Sequence, residues 1–266
     1  MNRNFLRYFH FFSILFIVCF LCTCGLEDYP FIFPVPQSYI TMEMNSRATV
    51  RIPTNNSGSS FTHFAIFYRI YVSDEMQPNT VSTNTDSNNV YTVINPALAT
   101  DINYVRPYID SDTYVNVNME SFFQGRNFKY LYFQNGSIDD VLSDSPPSVL
   151  GSALEFDFSS NKNPTMVKKD SAGNVIQGPF TLWRSNGYGQ FTPQPDRLFN
   201  NTEDLWNSEN INANTNADVV NKSNFVNSSR YTYAAMYIVA VGKDTSSSAD
   251  IYSTPSLIHV FLLPGI

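Results

Sequence analysis

The sequence predicts an all-β fold: a β-sandwich enlarged by a large, mostly β insertion. Three observations carry that expectation. Short runs of β-branched and aromatic residues recur along the chain, bounded by polar turn clusters. The i, i+3, i+4 periodicity of an amphipathic helix is nearly absent from those runs. The 16 Tyr and 22 Phe residues supply large apolar bodies for a core and leave aromatics for the surface.

Taken in order, residues 39–44 and 48–52 suit a first hairpin around Asn45-Ser46. Residues 64–72 form a longer aromatic and β-branched strand that stops at Ser73-Asp74. A long middle, 75–229, holds its own strand candidates at 90–94, 114–117, 128–133, 154–158 and 180–183. Asp170-Ser171-Ala172-Gly173-Asn174 reads as an exposed hairpin turn between Met166-Val167 and Val175-Ile176. Residues 196–228 are polar and rich in Asn, an irregular surface excursion in which Leu198, Phe199, Leu205 and Trp206 can line one face of a short helix. The longest strand candidate spans 231–241, a polar turn covers 242–250, and a last strand over 257–263 ends at Pro264-Gly265.

The terminal pieces resemble a fibronectin type III or related immunoglobulin-like sandwich. Ala48-Thr49-Val50-Arg51-Ile52-Pro53 stands where that family has its second strand, and Phe67-Tyr68-Arg69-Ile70-Tyr71-Val72 resembles its third. Ile238-Val239-Ala240-Val241, then Thr254-Pro255-Ser256, resembles the last two. The sequence departs from the family at Ile52, where a core tryptophan is expected, and at Ala234, where the corner tyrosine usually stands. The resemblance implies a two-sheet sandwich over residues 38–266 with 75–229 inserted into it.

The N-terminus carries a second resemblance. Arg3 and Arg7 form a short basic region, and residues 8–21 are almost wholly apolar, interrupted by His10 and Ser13. That run matches a signal-peptide core and falls short of the roughly 20 residues a membrane-spanning helix needs. It closes on Leu21-Cys22-Thr23-Cys24-Gly25, which resembles the lipobox of a bacterial lipoprotein signal peptide. The resemblance implies that residues 1–23 are cleaved, that Cys24 is lipidated, and that the partner of the mature N-terminus is a bacterial envelope membrane, the outer membrane at either face. Two or more acyl chains hold stably where one does not. Residues 24–37, with Pro30, Pro34 and Pro36, read as a semi-rigid tether whose apolar residues pack against the first strand.

Cleavage would leave 243 residues with 14 basic against 23 acidic side chains, a net charge of −9. With no Lys/Arg cluster, that balance argues against a nucleic-acid partner. Cys19, Cys22 and Cys24 are the only cysteines, so no disulfide and no thiol chemistry is expected after the leader.

Sites of chemistry are sparse. His63 and His259 are isolated, which makes a transition-metal centre a poor expectation. No nucleophile elbow, phosphate loop or dinucleotide fingerprint occurs. Glu155-Phe156-Asp157 places two carboxylates on one strand face and resembles the start of a sandwich-fold glycosidase motif, but Ser160 stands where the second catalytic glutamate belongs. Asp110-Ser111-Asp112 lacks the twelve-residue calcium loop that would give it meaning. The most binding-like stretch is 183–191, where Gly187 and Gly189 flank Tyr188 and Trp183 opens the segment. Trp183 and Tyr188 are therefore the candidate contacts for a protein or glycan ligand, the alternative being a hairpin whose Trp183 and Phe191 face the core while Tyr188 is merely exposed. The expectation is a non-enzymatic binding or structural module without a cofactor, a surface adhesin or a periplasm-facing accessory subunit of an envelope assembly, with a carbohydrate-active enzyme acting through Glu155 as the third reading.

Overall fold

The computed structural model describes residues 32–43, 46–58, 60–74, 95–109, 122–123, 125–133, 141–159, 163–184, 206, 211, 218–220, 231–244 and 247–263. Twelve strands can be assigned among them: β1 (Ile40–Glu43), β2 (Arg47–Arg51), β3 (Phe61–Ser73), β4 (Lys129–Tyr130), β5 (Tyr132–Phe133), β6 (Ala153–Asp157), β7 (Thr165–Lys169), β8 (Val175–Trp183), β9 (Val219–Val220), β10 (Tyr231–Lys243), β11 (Asp250–Tyr252) and β12 (Ser256–Leu262). One long helix, α1 (Pro96–Ile109), stands among them. The fold is all-β in the sense the sequence predicts, with two largely antiparallel sheets.

Sheet 1 runs β1-β2-β6-β7-β8-β5. Its strands β2, β6 and β7 alternate buried and open positions, because one face meets the core and the other meets solvent. Ala48, Val50, Leu154, Phe156 and Met166 point inward. The β7–β8 hairpin turns where the sequence places it. Asp170 accepts the backbone N–H groups of Ala172 and Asn174, and Gly173 takes a φ of +88° that an L side chain resists.

Sheet 2 is built on the pair β3–β10, eleven residue pairs in one register from Tyr231↔Ser73 to Val241↔His63 and, beyond a register shift, Gly242↔Phe61. β11 and β12 flank β10, while β4 and β9 flank β3. β9 runs parallel to β3. Nearly every residue of β3 and β10 is buried, so both faces of this sheet are covered. One face carries Phe64, Ile66, Tyr68 and Ile70 and looks toward sheet 1. There Trp206 packs on Tyr68 and edge-on against Phe158, and Phe158 stacks on Phe261 at 4.2 Å. The Trp206 indole N–H donates to Leu182 O at 3.0 Å. The other face carries Phe67, Arg69 and Tyr71 and is covered by α1 and by Phe122, Phe123 and Phe128.

The insertion is woven into this architecture, and Phe31–Ile266 forms one unit. It contributes β6, β7, β8 and β5 to sheet 1, β4 and β9 to sheet 2, and α1 to the outer layer. The third-like strand β3, the sixth-like β10 and the last strand β12 are neighbours in one sheet, and the second-like β2 lies in the other. The winding differs from an immunoglobulin constant-type sheet, in which the strand beside the second is reached after its outer neighbour. Here β6 pairs with β2 first, and β7 and β8 then extend outward.

Two expectations are corrected. The segment read as a Pro-rich tether is part of the domain from Ile32 onward, with Ile32 against Gly242 of β10 and Val35 and Gln37 bonded to β12. Ile32 and Val35 are buried, the Gln37 amide donates to Leu257 O, and the Ser256 hydroxyl donates to Val35 O. Apolar side chains in an extended segment gain more from the domain's flank than from water. Second, helix α1 falls where no element is expected from the sequence. The strand candidates at 90–94 and 114–117, and Leu198, Phe199 and Leu205 of the expected short helix, lie outside the described residues.

Candidate functional site

Of the residues singled out by sequence, Cys24, Tyr188 and Asp110-Ser111-Asp112 lie outside the described residues. Trp183 does not serve as an exposed contact. It ends β8 opposite Tyr132 and is only 8 % exposed. The strand pairing that continues sheet 1 into β5 turns its indole into the structure rather than out of a loop.

Glu155 and Asp157 do share the outer face of β6, as strand alternation requires. Each is engaged: Glu155 with Lys169, and Asp157 with Arg47 at 2.9 Å. Asp157 also accepts from the backbone and hydroxyl of Ser159. Partial burial pushes the Asp157 carboxyl up, but the Ser159 hydrogen bonds and the Arg47 guanidinium outweigh it and hold it below its ordinary value. This is a ladder of cross-strand ion pairs, and the lowered Asp157 carboxyl is not held in the protonated state that a general acid requires.

His63 is half-buried with Nδ1 3.1 Å from the Thr62 hydroxyl, and His259 is buried edge-on against Phe261. Among the described residues, no three His, Cys, Asp or Glu side chains gather closely enough to hold a metal ion.

Among the described residues, the fold also buries charged groups in three places, and none shows in the sequence as a motif. Asp218 and Arg184 form a fully buried pair between the sheets, with Arg184 donating through Nε at 3.0 Å and Nη2 at 2.7 Å. The Tyr68 hydroxyl donates to the same carboxylate at 2.9 Å. Both lone-pair sets of Asp218 are thus occupied, and the bidentate geometry offsets the cost of burying two charges. This cluster is sealed from solvent and is a structural lock.

Lys168 is the second. It lies on the inner face of β7 and donates to Val141 O and Pro147 O, both at 2.7 Å. Burial pushes its ammonium down to about 8. Its role is to pin the 141–147 segment to sheet 1, since both of its acceptors lie there.

The third reaches the surface. Asn95 caps α1 by accepting the Ala97 N–H at 2.9 Å, and its amide donates to Val72 O and Val220 O, which fixes the helix start on β3 and β9. One turn on, Asp101 is buried and accepts from Arg69 and from the Tyr71 hydroxyl, each at 2.6 Å. Burial raises the Tyr71 phenol well above its usual value, and the Asp101 charge adds to the effect. Arg126 approaches the other Asp101 oxygen at 3.3 Å. At the outer edge, Arg126 lies against Tyr104, which stacks on Phe122. Tyr104 and Arg126 are aromatic and cationic, the residue types that dominate binding energy at interfaces.

Sequence reasoning misses this cluster because its members come from β3, α1 and the turn before β4. The one local signal is Asn95-Pro96, a capping residue followed by proline at the first helical position. Compared with known proteins, the chain finds no match: no family model, no curated protein and no solved structure is significantly similar to it.

Proposed function

We propose that this protein is a lipid-anchored bacterial envelope lipoprotein whose β-rich domain acts as a non-enzymatic binding or structural module, a surface adhesin or host-facing protein in the first reading. The observation that carries it is Leu21-Cys22-Thr23-Cys24 at the close of a basic and then apolar leader. Charge, length and lipobox agree there. The engagement of Glu155 and Asp157 in ion pairs supports the non-enzymatic part of the reading.

A second reading, a periplasm-facing accessory subunit of an envelope assembly, draws on the docked segment at Ile32–Gln37. Seven residues separate Cys24 from Ile32, eight steps along the chain and a reach of about 28 Å when fully extended. So short a tether suits a module that works close to the membrane.

Cys24→Ala tests the anchor. The wild-type chain should partition with membranes and incorporate an alkyne-tagged palmitate, and the variant should do neither. A variant that stays membrane-bound and labelled overturns the reading. Protease shaving of intact cells then separates the two orientations: loss of the protein, with a periplasmic control intact, favours the host-facing one.

A further inference from the structure

The chain leading into the domain enters at one end of it. Ile32 lies against β10 so closely that a Cβ on Gly242 would come within 2.6 Å of Ile32 Cδ1. Farther along, Val35 O accepts from Ser256 and the Gln37 amide donates to Leu257 O, and those two residues of β12 pair with Ile238 and Tyr237. Followed back from Gln37 to Ile32, the segment therefore climbs β10 from the level of Tyr237 to that of Gly242. It leaves where β3 begins, since Gly242 pairs with Phe61. The Asn56 side chain fixes the exit, accepting the Phe33 N–H and donating to Phe33 O, each at 2.8 Å. The β7–β8 hairpin projects from the same end. Lys168 holds the 141–147 segment, which bonds to the start of β3 through Phe64 N–H and Leu142 O at 2.9 Å. Beyond Lys168 the hairpin outruns its neighbours, because the pairing of β2 with β6 stops at Arg51↔Ala153. Asp170 braces its turn, and beside that turn Val175 and Ile176 are 54 % and 37 % exposed.

We propose that this end of the domain rests on the lipid bilayer, with Val175 and Ile176 in the boundary between headgroups and acyl chains. The inference deepens the reading of Cys24 as lipidated, and rests on it. Reach decides between the two ends. From Cys24 to Ile32 the chain spans at most about 28 Å. β3 and β10 have 13 residues each, so the opposite end of sheet 2 lies about 40 Å away. With that opposite end on the bilayer, Cys24 could not reach the surface. Two aliphatic side chains bind a membrane weakly by themselves, but the anchor makes their contact intramolecular. The braced turn presents them without an ordering cost. Lys169 and Lys243 pair with Glu155 and Asp250, so apolar contact carries the docking and a neutral lipid suffices. A protein adding a strand here fits worse: the β7–β8 register shifts twice, and Pro179 has no N–H to donate.

The test uses the full chain, acylated in a bacterial host and reconstituted in phosphatidylcholine vesicles that carry acyl-chain spin labels. A nitrobenzoxadiazole dye is attached through Ser171→Cys in the hairpin turn or, in a separate chain, through Thr100→Cys near the start of α1; both positions are exposed. The hairpin dye should lose more than about half of its emission, since the proposed depth brings it within about 5–10 Å of the quenchers. The dye at Thr100→Cys should lose almost none, because Asn95 fixes that helix start on Val72 and Val220, toward the opposite end. Adding Val175→Ser and Ile176→Ser changes exposed side chains alone, which leaves the fold in place. It should lower quenching at the hairpin to the level at Thr100→Cys, while palmitate incorporation and membrane partition persist. Equal quenching at the two positions, no quenching at the hairpin, or undiminished quenching in the serine variant would each overturn the proposal. A chain that carries no acyl group loses the anchor and this orientation together. One that is acylated and unquenched at the hairpin loses the orientation alone.

Discussion

The two sheets are made from different kinds of strand. Sheet 1 alternates: Ala48 and Val50 face in while Arg47, Thr49 and Arg51 face out, and β6 and β7 repeat the pattern. Sheet 2 does not alternate, because β3 and β10 are apolar or aromatic at almost every position and buried on both faces. The difference teaches what the insertion is for. A two-layer sandwich leaves the outer face of each sheet to water, and Phe67, Tyr71 and Tyr237 could not remain there. The inserted α1 and the Phe122, Phe123, Phe128 group supply a third layer over that face. Sheet 1 needs no such cover, since the outer face of β2, β6 and β7 is mostly polar and carries the Arg47–Asp157 and Lys169–Glu155 ion pairs.

The largest effect expected from this contrast is at Phe67, on the helix-covered face of sheet 2, stacked on Phe123 at 4.2 Å. Phe67→Ala should cost about 3–5 kcal/mol in urea unfolding, as much as Phe156→Ala between the sheets. A cost below about 1 kcal/mol for Phe67→Ala alone would mean that the third layer is not core.

An intermediate effect is expected from Lys168, a charge on the inner face of sheet 1. Its folded value of about 8 lies below the ordinary lysine value of 10.5. Between those limits the unfolded chain holds more protons than the folded one, so stability should rise with pH from about 8. Tyr71 works in the opposite direction, since its raised folded value makes ionisation favour unfolding once pH exceeds about 10. The clean window is therefore about pH 8 to 10. Stability measured across it should climb in the wild type and climb less in Lys168→Met, with the remainder from Lys129, which burial also depresses. An unchanged slope in the variant would remove Lys168 from the account.

The smallest effect belongs to the outer face of sheet 1. Arg47 and Asp157 pair with side chains 51 % and 31 % exposed. Arg47→Ala should cost about 0.2–1 kcal/mol, and less at high salt, read as a shift in the urea midpoint.

What the sequence discloses follows the same division. Strands β2, β6, β7, β10 and β12 are legible because their pattern or composition is local, and the hairpin at Asp170–Asn174 is legible because its residues bond one another. The third layer is not. Its helix is announced by little more than Asn95-Pro96, and its contacts join Arg69, Asp101 and Arg126 across nearly sixty residues of chain. Trp206 is readable as one face of a short helix, yet its role as a plug between the sheets depends on Tyr68 and Phe158, which only the fold brings near. Trp183 is legible as the end of a strand, but nothing local says that Tyr132 will pair beside it and that the indole will be buried.

Arg184 directly follows β8 and Asp218 directly precedes β9, so their contact ties together the two ends of the stretch 185–217. Secreted domains commonly close such stretches with a covalent bridge, for which this chain has no cysteine beyond Cys24. The knot here needs no oxidant to tie it and no isomerase to correct it. Dithiothreitol should therefore leave it closed.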